Sequence, residues 1–153
     1  PMGVVIGCLT DFLIAASLVA ALMVVYRVPV SPQLVWLPWL VGLEVALLIS
    51  LSLIASAMNV FYRDVKYLVP LVVQLWMFVT PVIYSSSMVP AHLRPWYMLN
   101  PMAVVVDGIR RVVLDGQAPD VALLTQSTGM VLLLGLVAYK YFKRVEVKFA
   151  DLI

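Results

Sequence analysis

The chain has 153 residues, 64% of them apolar and 12% charged, with a formal net charge of +2 and a mean hydropathy of +1.06. That charge is too small to argue for a nucleic-acid partner, and the apolar excess excludes a water-soluble domain, whose helices need a polar face. The single cysteine, Cys8, permits no intrachain disulfide, and the length leaves room for one membrane domain.

Four long apolar stretches follow one another: Met2–Tyr26, Val35–Met58, Tyr67–Tyr84 and Val121–Phe142. At ~1.5 Å rise per residue, each reaches across a hydrocarbon layer of ~30 Å or nearly so. The sequence therefore predicts an all-α membrane protein with four transmembrane helices and a short amphipathic or re-entrant outer helix. The first span starts without a charged segment or a small-residue cleavage site and is expected to be a membrane span, not a signal peptide. It contains Asp11 and the pair Gly3 and Gly7, whose spacing, repeated by Ser52 and Ser56, suits close helix packing.

Pro29, Ser31 and Pro32 turn the chain into the second span, which opens with Trp36 and Trp39 at headgroup level and carries Glu44. The loop Asn59–Lys66 leads to the third span, with Pro70 expected in its first turn and Pro81 near its end. Asn100-Pro101 is a helix-start signal, and Gly116 closes a helix over Pro101–Leu114, about 21 Å long and too short to span. Met102, Val105, Val106, Ile109, Val112 and Val113 share one face of it; Asp107, Arg110 and Arg111 share the other, with Asp107 in reach of both arginines.

Lys and Arg number six on the side of the Asn59–Lys66 loop and the C-terminal tail, against Arg27, Arg94, Arg110 and Arg111 on the other. The bias places both chain ends and that loop in the cytoplasm, with Ser85–Asp120 outside. Asp11 and Glu44 interrupt the spans; such residues face a bundle interior or water, as transport ligands or as structural hydrogen-bonding groups. Trp76 and Phe78 lie mid-span and could stack on sugar rings or pack against a neighbouring helix.

No catalytic constellation is present. His92 alone in a proline-flanked loop cannot build a metal site, and Ser85-Ser86-Ser87 has no base at an interpretable spacing. The seven glycines form no phosphate-cradling loop, so ATP hydrolysis by this chain is not expected.

The order of several tracts is specific: Leu9-Thr10-Asp11-Phe12-Leu13-Ile14-Ala15, Asn59-Val60-Phe61-Tyr62-Arg63-Asp64-Val65, Leu68-Val69-Pro70, Gln74-Leu75-Trp76-Met77-Phe78 and Pro81-Val82-Ile83-Tyr84. Ser87-Met88-Val89-Pro90, Leu99-Asn100-Pro101-Met102 and Phe149-Ala150-Asp151-Leu152-Ile153 complete the series. Together they resemble the permease subunit of type-2 ABC exporters that move polysaccharides such as O-antigen, capsule or teichoic acid on lipid carriers. The resemblance covers essentially the whole chain. It matches the family's spans three to six, and leaves Pro1 just after the position of the family's coupling helix, so the chain is expected to be a partial domain lacking the first two spans.

The resemblance implies a homodimer in the bacterial plasma (inner) membrane, bound to ATP-binding cassette subunits that hold ATP and Mg, with no cofactor or metal in this chain. It makes Trp76, Phe78 and Tyr84 candidates for the substrate conduit, and Asp107, Arg110 and Arg111 candidates for an outer gate in residues 85–120. Phe61, Tyr62, Arg63 and Asp64 become candidates for the cytoplasmic face near the ATPase. The alternatives are an exporter of drugs or small lipids, and an ion-coupled secondary transporter using Asp11 and Glu44.

Overall fold

A computed structural model describes residues 2–27, 31–82, 88–90 and 92–150. Among these, three helices are long and apolar enough to cross a membrane, and a fourth apolar helix is shorter. The protein is an all-α membrane protein.

Helix α1, Met2–Val25, ends where Arg27 takes a left-handed conformation, φ 53°. Ser31 starts a 3-10 turn, Pro32–Trp36: its hydroxyl accepts from the Gln33 N–H at 3.3 Å, capping the turn. Helix α2, Leu37–Phe61, follows directly and is the centre of the molecule. It buries Leu40, Leu43, Leu47, Ser50 and Ala57, a stripe at three- and four-residue steps. Helix α6, Val121–Ala150, presents Leu124, Ser127, Val131, Ala138 and Val145 at the same steps. Early residues of α2 such as Trp39 and Leu43 line one cavity with Thr128 and Val131, and later Ser50 meets Gly135, where an added Cβ would stand 3.2 Å from the serine hydroxyl. The two helices therefore run parallel, each starting at the same end of the bundle.

The small residues that allow this approach are Ser50 and Gly135, and Gly7 in α1 takes no part in it. Space is open around the Cβ position of Gly7, and the side chains of α1 described beyond it are mostly exposed. With no water in the bilayer to drive helices together, contact at small residues and dispersion are what hold such a pair.

Helix α3, Val65–Val79, is shorter than the stretch Tyr67–Tyr84 expected as a span. Pro81 disfavours helical geometry at the residue before it, and Thr80 is extended at ψ 141°. The helix also begins earlier than expected, so Pro70 lies in its second turn, where it removes the donor that would pair with the Lys66 carbonyl. Helix α4, Arg94–Tyr97, is a single turn, and α5, Pro101–Val113, is capped by the Asn100 side chain. Helix α6 runs well past the expected Phe142 end, carrying an exposed Lys143–Glu146 ion pair at 2.8 Å.

Helix α5 is not a helix lying on a surface. No residue from Pro101 to Val113 is exposed, and Ala103, Val104, Val105, Asp107, Gly108 and Val112 are buried. It packs against α2, α6 and the 3-10 turn. Gly116 (φ 62°) meets Ser31, Gly108 meets Leu40, and Met102 lines one cavity with Leu47 and Leu51. These three placements set α5 antiparallel to the first half of α2, with its N-terminus level with the middle of that span. It therefore reaches from the level of the Gly116 connection back to the middle of α2.

Candidate functional site

Asn100 joins α5 to the end of α3. Its Oδ1 accepts from the Met102 N–H at 3.1 Å and from the Trp76 indole Nε1–H at 3.2 Å, while its Nδ2 donates to Thr80 Oγ1 at 3.2 Å. One side chain thus caps α5, satisfies the indole and holds Thr80, which is 1% exposed, just beyond α3. One helical turn from the far end of α5, Arg110 Nη2 donates to the carbonyls of Pro81 at 3.3 Å and Val82 at 3.4 Å. The end of α3 is therefore held to α5 at two points, and both use groups set there by the break at Pro81.

Asp107, expected on a polar face, is buried, and its Oδ2 accepts from Arg111 Nε at 2.9 Å. The i,i+4 spacing read from the sequence gives this pair its geometry. The pairing lets a carboxylate sit inside the bundle, where an unpaired charge would be costly. Ser31 Oγ donates to the Gly116 carbonyl at 3.1 Å and ties the α5–α6 connection to the start of α2.

Trp76 and Phe78 stand two positions apart on α3, about 200° around the axis, and so face opposite ways. Trp76 is half-buried and lines a cavity of about 580 Å³ between α2, α3 and the start of α5. The cavity is walled mainly by apolar side chains such as Leu47, Val73, Met77 and Met102, with Glu44 and Gln74 among its polar groups. Phe78 is 57% exposed on the other side. Tyr84 lies outside the described residues. Phe61, Tyr62, Arg63 and Asp64 sit together, all exposed, at the turn between α2 and α3, where Lys66 Nζ lies 4.8 Å from the Tyr67 ring centroid. Asp11 and Glu44 line a second cavity, about 310 Å³, between α1 and α2, so Glu44 contributes to both.

The bonds of Asn100 to Trp76 and Thr80 went unread in the sequence, although the Leu99-Asn100-Pro101-Met102 tract and its cap were noticed. An Asn-Pro helix start signals the cap; nothing local signals a partner 24 residues away.

These features define a multi-pass helical membrane protein with a short helix reaching back to mid-span depth. The sequence pattern of the ABC-2 type transporter family matches residues 4–114, and the chain belongs to that family. It is 26% identical to an O-antigen export system permease protein, RfbA, from Myxococcus xanthus over 153 residues, covering 99% of this chain and 59% of that protein. Two proteins of the same name from Klebsiella pneumoniae are 26% and 27% identical, each covering 93% of this chain and 55% of its relative. The chain thus spans a little over half the length of these relatives. The family, the relatives and the apolar helices fit a multi-pass protein of a bacterial inner membrane.

Proposed function

We propose that the chain is part of the permease subunit of an ATP-driven exporter that moves a lipid-linked polysaccharide of the O-antigen kind across the inner membrane. The observation that supports this most is the match of nearly the whole chain to relatives named O-antigen export permeases. Two permease copies pair with two ATP-binding cassette subunits that hold ATP and Mg. Closure of those subunits moves the permease halves and opens a conduit between them.

In this reading, Phe61, Tyr62, Arg63 and Asp64 offer the exposed turn on which an ATPase can bear. The conduit takes its aromatic lining from Phe78, Trp76 and Tyr84. Phe78 supplies an exposed face, and Trp76 reaches the path through the α2–α3 cavity. Asp107, Arg110 and Arg111 keep α5 in place as part of an outer gate, since two of the three are tied to each other and the third to the end of α3. Asp11 and Glu44 act as structural polar groups between α1 and α2.

The test is glycan export by cells lacking the native exporter and supplied with the permease alone or with its cassette partner. Export that requires the partner and ATP is expected, and it should persist in Asp11→Asn and Glu44→Gln variants. Export that runs without ATP and stops when the ion gradient is collapsed would instead establish the ion-coupled reading.

A further inference from the structure

A second polar site lies away from the Asn100 junction. Arg94 and Trp96 from α4, Arg111 from α5, and Asp120 and Gln126 around the first turns of α6 line one open cleft of about 770 Å³. It sits at the end of the bundle that carries the α5–α6 connection, where Trp96 is 74% exposed. The cleft runs from the α4 turn to the first turns of α6.

The charges there are unevenly occupied. Asp120 is engaged as a cap, its Oδ1 accepting from the N–H groups of Ala122 at 3.0 Å and Leu123 at 3.3 Å. Arg111 meets Asp107 through Nε, and a guanidinium keeps further N–H donors on its terminal nitrogens. Arg94 has no side-chain hydrogen bond or ion pair among the described residues. Two guanidinium groups from different elements line the same cleft as an exposed aromatic face, a set that suits a planar or tetrahedral oxyanion. In a bilayer, the anions that reach such a cleft are phosphate esters.

We propose that Arg94 and Arg111 form a phosphate-binding site in this cleft, with Trp96 as a platform for the ring or interfacial group attached to the phosphate. The phosphate can come from a phospholipid headgroup or from a phosphorylated sugar, and both present the same oxygens to the arginines. Arg111 is oriented by Asp107, so the carboxylate buried in the bundle sets one half of the site. Arg94 is exposed and supplies the other half.

The test uses the protein in a phosphate-free polyoxyethylene detergent, with hydrogen exchange read over residues 92–99 and 120–126. Three probes are titrated: a hexose phosphate, a short-chain phosphatidic acid, and the unphosphorylated hexose. Protection by the hexose phosphate identifies a glycan-phosphate site, and protection by phosphatidic acid alone identifies a lipid-headgroup site. In either case, Arg94→Gln should weaken the apparent affinity about tenfold, the loss of one charge-assisted contact. Arg111→Lys keeps a cation beside Asp107 but loses the fork, and should weaken it as well. No protection by either phosphate, equal protection by the bare hexose, or wild-type affinity in Arg94→Gln would overturn the assignment.

Discussion

Asn100 carries more of this structure than any charged residue does. Replacing it with Ala removes the cap of α5 and leaves the Trp76 indole N–H and Thr80 hydroxyl without their partner. Loss of a cap costs about 1 kcal/mol and an orphaned buried donor ~1–3 kcal/mol. Asn100→Ala should therefore lower stability by about 2 kcal/mol or more, read as a drop in thermal midpoint in detergent. Trp76→Phe should cost less, since it removes the donor along with the bond. Gly108 is a second such position: an added Cβ would stand 2.8 Å from Leu40 Cδ2, and Leu40 is wholly buried. Gly108→Ala should destabilise by ~1–3 kcal/mol. Combined with Leu40→Ala, it should cost less than the sum of the two, because the new methyl occupies part of the vacated space. A strictly additive pair would show that α5 does not press on α2 there. The sequence announced the Asn100 cap, but Gly108 looked like any glycine in a helix, because its reason lies on another element.

Among elements, the pairing of α3 with α5 was the least legible. Val82-Ile83-Tyr84 extends the apolar run of the third span, so hydropathy alone carries that span past its true end; Pro81 held the contrary signal, through its effect on Thr80. The polar face of α5 was read correctly as a set of neighbours, yet its burial was not, because tertiary partners such as the Pro81 and Val82 carbonyls, with the internal Asp107–Arg111 pair, make it tolerable inside a bundle. Both features lead to a testable distinction. Asp107→Ala leaves Arg111 without its carboxylate, but Arg111 is partly exposed and can rehydrate, so the loss should be ~1–3 kcal/mol, below that of a fully buried pair. If α5 closes a conduit, this variant should change glycan export or small-solute leak while the protein still assembles at normal membrane levels. Wild-type export with no leak would make α5 an anchor and nothing more. Arg110→Gln removes the bonds from α5 to the Pro81 and Val82 carbonyls and, if α5 closes a conduit, should give the same phenotype through a different contact.

For the molecule as a whole, hydropathy gave three of the spans and their order, while the parallel course of α2 and α6 came from small and branched residues that no periodicity reveals alone. That parallel course fixes one topological fact: the α2–α3 turn and the far end of α6 lie at the same end of the bundle, opposite the α5–α6 connection. The positive-inside count assigns that shared end to the cytoplasm through Arg63, Lys66, Lys140, Lys143, Arg144 and Lys148. Single cysteines test the assignment once the exposed Cys8 is removed by Cys8→Ser. Tyr62, Lys143 and Asp115 are all exposed, and they sample the two ends without touching the Asn100 junction or the Arg94 cleft. In intact cells treated with an impermeant thiol reagent, Asp115→Cys should label, and Tyr62→Cys and Lys143→Cys should label only after the membrane is opened. Because both of the latter sit at one end, they must behave alike whichever way the protein faces. If they differ, the parallel packing of α2 and α6 fails; if they agree with each other but label in place of Asp115→Cys, the fold stands and the orientation is reversed.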